Sequence, residues 1–195
     1  MKVIKKASFL LSASSFEKTI DFKLPEVVLV GRSNVGKSSI INMLANNSKL
    51  AKVSSVQGKT RLVNYFNFND EFILVDLPGY GFASTSKQER DNWKKMIDGY
   101  FASSKQLSSV VLLVDIRHKP TEQDIQMLEF LAYYNIPVTV VATKYDKIKK
   151  SELKQKLNTI AVTFNMGIDN IFVTSSETCF GKEKLLERIY QFFLK

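Results

Sequence analysis

The sequence predicts an α/β fold: a doubly wound, mostly parallel six-stranded sheet with one antiparallel strand and helices on both faces. Three observations predict it. Short apolar runs alternate with stretches at helical spacing, the pattern of successive βαβ units. One pair of runs is separated only by Asn69-Asp70, a hairpin signal that supplies the antiparallel strand. And Gly31-Arg32-Ser33-Asn34-Val35-Gly36-Lys37-Ser38 matches G-x-x-x-x-G-K-[ST], a phosphate-binding loop that must lie between a strand and a helix.

In chain order, strands are predicted at 27–30, 62–68, 72–75, 110–114, 138–142 and 171–174, and helices at 37–46, 87–103, 122–134, 151–164 and 182–194. Residues 1–24 read as a folded N-terminal extension on a single domain spanning 1–195. Lys2, Lys5 and Lys6 precede an apolar stretch too short for a signal peptide. No apolar run approaches the ~18 residues of a membrane span, so membrane partners are not expected. The single cysteine, Cys179, excludes an intramolecular disulfide and fits a reducing compartment, hence a cytoplasmic location. Lys and Arg number 28 against 19 Asp and Glu, a net charge of +9. That excess points to a polyanionic partner, with clusters at Lys94-Lys95, 144–150 and Lys154/Lys156.

Each motif has a physical reason. A triphosphate packs several charges into a small volume. Gly31 and Gly36 let the backbone turn its N–H groups inward, and the helix starting at Lys37 adds its positive end. The Lys37 ammonium reaches the outer phosphates and the Ser38 hydroxyl is placed for Mg²⁺. Ser39 continues the helix. In an open α/β sheet, ligands bind beyond the carboxyl ends of the strands. There, Asp76-Leu77-Pro78-Gly79 offers a carboxylate to Mg²⁺ through water and a Gly79 N–H to the γ-phosphate. Thr143-Lys144-Tyr145-Asp146 offers a carboxylate that accepts from N1–H and the exocyclic amine of guanine, a donor pair adenine lacks. The Lys144 stem can lie over the ring. Thr174-Ser175-Ser176 follows the last strand, with backbone N–H groups for the guanine O6. Between loop and hairpin, Gly58-Lys59-Thr60 supplies a threonine that completes the Mg²⁺ shell when the γ-phosphate is present. Lys37, Thr60 and Gly79 are the candidate catalytic residues.

This order of motifs is that of translation-factor-like, Ras-like GTPases of the P-loop class. The chain further resembles the EngB family, GTP-binding proteins of bacterial ribosome assembly. The resemblance is carried by the loop through Ser39, by Asp76-Leu77-Pro78-Gly79-Tyr80-Gly81-Phe82-Ala83, by residues 93–100 around Trp93, and above all by Asp115-Ile116-Arg117-His118-Lys119-Pro120 with Asp124 and Met127 following. It covers about residues 20–194. Gln57 departs from the proline usual there. The resemblance implies binding of GTP and GDP with Mg²⁺, and action on the large ribosomal subunit or its precursor with a link to cell division. The chain is expected to be a monomer. The basic excess is compatible with ribosomal RNA.

Many relatives carry a glutamine after D-x-x-G to orient the attacking water. Here Tyr80 occupies that position, which predicts slow intrinsic turnover, on the order of 10⁻² s⁻¹ or below. Asn34 matches a loop asparagine that helps hold K⁺ in related potassium-stimulated enzymes; the alternative is that it only shapes the loop. His118, the sole histidine, is expected on the surface, Trp93 as an anchor, and 82–93 as a segment ordered by GTP or the ribosome. A second reading is an RNA-binding assembly scaffold that binds guanine nucleotide with little hydrolysis. A third, an ATPase or nucleotide kinase, is disfavoured by Asp146.

Overall fold

The structure, a computed structural model, describes residues 2–13, 22–52, 62–81 and 87–193. The strands are β1 (Ala7–Ala13), β2 (Glu26–Gly31), β3 (Val63–Phe68), β4 (Phe72–Asp76), β5 (Leu107–Asp115), β6 (Val138–Thr143) and β7 (Ile171–Val173). The α-helices are α1 (Lys37–Ala45), α2 (Lys87–Ser103), α3 (Glu122–Tyr133), α4 (Leu153–Thr163) and α5 (Lys182–Tyr190). They form one seven-stranded sheet in the order β1-β3-β4-β2-β5-β6-β7. Only β3 runs against the others, pairing antiparallel with both β1 and β4.

The expected six strands are therefore seven, because part of the N-terminal extension adds an edge strand. Its sequence hides it. No residue of β1 is fully buried, so no apolar alternation marks it, and its register shifts between Phe9 and Leu11. The hairpin turn behaves as its residues predict. Asn69 and Asp70 have φ of 59° and 57°, the left-handed pair of a type I′ turn. The Asn69 side chain then ties the extension down: it accepts from the Lys5 and Lys6 amides at 2.8 and 3.0 Å and donates to the Val3 carbonyl at 2.9 Å.

The central strands are apolar on both faces because helices cover both. On β2, Val28 and Val30 face a core shared with α2, α3 and α4, including Ile97, Leu131 and Ile160. Val27 and Leu29 face the other core, with Ile40, Ile41 and Leu44 of α1 and Leu185 and Ile189 of α5. Two facing layers packed on one sheet fix its strand ends to within side-chain tolerances. The parallel strands β2, β4, β5, β6 and β7 thus bring Gly31, Asp76, Asp115, Thr143 and Thr174 to one edge. Among the described residues, no helix is long and apolar enough to cross a membrane.

Candidate nucleotide site

The loop from Gly31 to Ser38 leaves β2 and enters α1. A Cβ on Gly31 would lie 2.9 Å from the Leu113 carbonyl oxygen and 2.9 Å from Val35 Cγ1, so only glycine lets the chain turn there. Helix α1 opens with Gly36 at φ 110°, has no side-chain cap and has no acidic residue in its first turn. Its first amides are left for an anion, and the helix dipole favours one. The neighbouring strand ends clamp the loop. Thr143 Oγ1 donates to the Val35 carbonyl at 2.8 Å, and Lys144 Nζ donates to the Asn34 carbonyl at 2.7 Å while pairing with Asp115 at 2.9 Å.

Lys37 and Asp76 face each other under the loop. Burial pushes the Lys37 ammonium below its ordinary value, and the Asp76 charge partly restores it. Burial likewise pushes the Asp76 carboxyl up, opposed by Lys37 and by a hydrogen bond from Asn64. Asp76 Oδ1 is buried without any hydrogen-bond partner among the described residues. A buried, under-satisfied carboxylate oxygen with a hydroxyl nearby in the motif suits a water-bearing Mg²⁺, which takes one or two protein ligands and completes its shell with phosphates and water. The residues present fit that ion.

The Asp76-Leu77-Pro78-Gly79 segment lies directly on the loop. A Cβ on Gly79 would sit 2.9 Å from Lys37 Nζ and 2.9 Å from the Ser33 nitrogen. The Ser33 amide donates to the Tyr80 carbonyl at 2.8 Å, and Tyr80 forms a bridge with Arg32. Tyr80 itself is 6% exposed and its hydroxyl donates to Asp124 Oδ1 at 2.7 Å. Burial and the Asp124 charge hold the phenol far above its usual range. Its ring meets Trp93 edge to face at 5.9 Å, and Trp93 Nε1 donates to the Pro78 carbonyl at 2.9 Å. Tyr80 and Trp93 are struts between this segment, α2 and α3. His118 is exposed, as expected.

Tyr80→Phe should therefore act on stability. It removes one hydrogen bond to a buried carboxylate, about 1.5–3 kcal/mol by urea unfolding, with GTP turnover changed by no more than a few fold. A hundredfold loss of turnover would place the hydroxyl in the chemistry instead.

At the base end, Asp146 Oδ1 accepts from Ser175 Oγ at 2.7 Å and Oδ2 pairs with Lys147 at 3.0 Å. The Ser175 hydroxyl, then Lys147, hold the Asp146 carboxyl below the usual carboxylate range. Lys144 takes a left-handed φ of 64°, which turns the chain between Thr143 and Asp146. Of the three amides expected to meet the base, Thr174 donates to Ala142 at 2.8 Å and Ser175 to Phe180 at 3.1 Å. Of these three, only the Ser176 N–H has no backbone acceptor among the described residues. The Ser175 hydroxyl, which orients Asp146, is the contribution that sequence reasoning missed. Gly58, Lys59 and Thr60 lie outside the described residues, as does 82–86. Arg32, assigned to the nucleotide by its place in the motif, lies beside Gly81, whose Cβ would meet its Nε at 3.1 Å.

The family model described as "50S ribosome-binding GTPase" matches residues 26–144. A probable GTP-binding protein EngB of Bacillus cereus (strain B4264) is 47% identical over 193 residues, covering 98% of this chain and 97% of its own length. A second, from Bacillus thuringiensis (strain Al Hakam), is 46% identical with the same coverage. Among solved structures, the crystal structure of a probable GTP-binding protein engB has a TM-score of 0.73 and 27% identity, with 85% of this chain and 97% of that chain covered. A point variant of Aquifex aeolicus Era bound to GDP·AlF₄⁻ shares the fold at a TM-score of 0.68 and 22% identity, covering 88% of this chain and 57% of that one.

Proposed function

We propose, from the premise that this chain belongs to the EngB family of GTP-binding proteins, that it is a slow, Mg²⁺-dependent GTPase switch acting in assembly of the large ribosomal subunit in the cytoplasm, with a link to cell division. The observation that carries the guanine reading is the Asp146 carboxylate, oriented by Ser175 Oγ at 2.7 Å at the end of the same sheet edge that holds Lys37 and Asp76. The ribosomal part is supported by the description of the matching family and by the net charge of +9.

In this reading the bound triphosphate lies along α1's first amides. Lys37 neutralises the β- and γ-phosphates. Asp76 and Ser38 hold Mg²⁺, which when bound offsets the charge that builds on the phosphates. Thr60 joins that shell, and the Gly79 N–H takes a γ-phosphate oxygen. Asp146 and the Ser176 amide read the base. Tyr80 is committed to Asp124 and offers no amide to orient water, which supports slow intrinsic turnover.

The test is co-sedimentation of the chain with 50S subunits, loaded with GDP or a non-hydrolysable GTP analogue, across a salt series. The GTP form is expected to pellet and the GDP form to remain free, with binding falling steeply as salt rises. Equal binding in both forms would overturn the switch and favour the scaffold reading. Asn34 sits exposed at φ 61° on the loop, which motivates a comparison in K⁺ and Na⁺. Turnover at least severalfold faster in K⁺ is expected; equal rates would remove the potassium site.

A further inference from the structure

We propose that the ring contact between Tyr145 and Phe180 clips together the two loops assigned to the base, and that this pair of positioning residues sets how sharply guanine is preferred to a purine without its exocyclic amine. The inference rests on the reading of Asp146 as the base reader. The two rings lie 4.8 Å apart between centroids, tilted by 49°. Phe180 is 49% exposed and Tyr145 is half-buried. Neither ring belongs to the two hydrophobic cores, so filling the interior does not account for them.

Each ring is one step from the Asp146–Ser175 bond. Tyr145 directly precedes Asp146, and its amide donates to the Thr174 carbonyl at 3.1 Å. The Phe180 carbonyl accepts from the Ser175 amide at 3.1 Å. Ser175 Oγ in turn donates to Asp146 Oδ1 at 2.7 Å and accepts from the Thr178 amide at 3.2 Å. The path from Tyr145 through Phe180 and Ser175 to Asp146 therefore closes on itself across the two loops. Phe180 sits between two left-handed residues, Cys179 at φ 58° and Gly181 at φ 76°. A left-handed conformation outside glycine is costly and persists where the surroundings hold it. Here the bridge between Ser175 and Phe180 closes the turn.

The chemistry of the base makes this a matter of specificity and not only of affinity. The other hold on Asp146 is an ion pair with Lys147 at 3.0 Å, whose side chain is 57% exposed and so weakly bound. A carboxylate oxygen has two lone pairs. With Ser175 on Oδ1 and Lys147 on Oδ2, one remains on each oxygen for N1–H and the exocyclic amine. Accepting both donors at once requires the carboxylate to lie in the plane of the base. A carboxylate released by Ser175 can swivel to keep one bond but not both. Hypoxanthine carries N1–H without the amine and needs only one. Loss of the clip therefore costs guanine more than hypoxanthine.

The experiment measures Kd for GDP and IDP on the full chain with Mg²⁺, by competition with a fluorescent GDP. Tyr145→Ala and Phe180→Ala are each expected to lower the preference for GDP over IDP about threefold to tenfold, the range an aromatic pair supplies. The double variant should be no worse than either single one, because the rings act as a unit. Tyr145→Phe keeps the ring and should retain the full preference. Asp146→Asn is the reference and should abolish it. If GDP and IDP weaken equally in the alanine variants, or if the two losses add in the double variant, the rings only support the fold and the proposal fails. If Asp146→Asn lowers the preference and the alanine variants do not, the clip is wrong while the reading of Asp146 stands. If Asp146→Asn leaves the preference unchanged, both fall.

Discussion

Asp146→Asn is expected to weaken GTP and GDP binding by about a hundredfold or more and to transfer preference to xanthine nucleotides. In the proposed reading the carboxylate accepts from both donors of guanine, and each such charge-assisted bond contributes about 1.5–3 kcal/mol. The substituted amide turns one acceptor into a donor facing the exocyclic amine, so the loss is about 3 kcal/mol, or roughly a hundredfold in Kd. Xanthine carries a carbonyl where guanine carries that amine, and the new N–H₂ group matches it. The geometry favours an orderly exchange: Ser175 Oγ, 2.7 Å from Asp146 Oδ1, still donates to the amide oxygen and fixes which way the amide points. Competition between fluorescent GDP and XDP measures the result. An unchanged guanine preference would remove Asp146 from base recognition, and a gain in ATP binding would revive the adenine reading.

Gly181→Ala should be the most damaging single methyl in the described chain. Gly181 opens α5 at φ 76°, and a Cβ there would lie 2.0 Å from the Val173 carbonyl oxygen and 3.3 Å from Thr174 Cγ2. A left-handed alanine alone costs about 1–3 kcal/mol. The contact with backbone cannot relax by a rotamer change, so about 3 kcal/mol or more is expected, a fall in Tm on the order of 6–12 °C. The strand end that must yield carries Thr174, Ser175 and Ser176, so guanine affinity should fall with stability. Gly167→Ala is the control. Its φ is −67° and its Cβ would meet only Asn170 Nδ2 at 3.3 Å. That variant should be neutral or slightly stabilised. Equal losses in both would show that the crowding at Gly181 is relieved cheaply.

What could be read in the sequence follows from what leaves a local mark. Strands β2, β4, β5 and β6 are buried on both faces, so they appear as unbroken apolar runs. The edge strand β1 buries no residue fully and so left no pattern. The motif residues were legible because the fold places loops at strand ends, where residue order alone locates Lys37, Asp76, Asp146 and the Ser-Ser pair. Contacts between distant loops were not. Nothing local joins Tyr80 to Asp124, 44 residues apart, or Ser175 to Asp146, 29 apart. The amides of Thr174 and Ser175 looked available because their partners, Ala142 and Phe180, are set by tertiary register. Helix α5 ends at Tyr190, earlier than its apolar spacing suggested.

The hydrogen bond from the Ser33 amide to the Tyr80 carbonyl, 2.8 Å long, also bears on selectivity between nucleotides. A diphosphate can dock without touching that bond. In the proposed switch, a ligand that draws Gly79 toward a third phosphate is expected to open that bond first. Its apparent affinity is then its intrinsic affinity reduced by the fraction of molecules already open. One ordinary backbone bond, about 1 kcal/mol, is a factor of about five in that fraction, so the closed form acts as a standing bias toward the diphosphate. Whatever pulls Ser33 and Tyr80 apart from outside would raise triphosphate affinity by the same factor, without contacting the nucleotide.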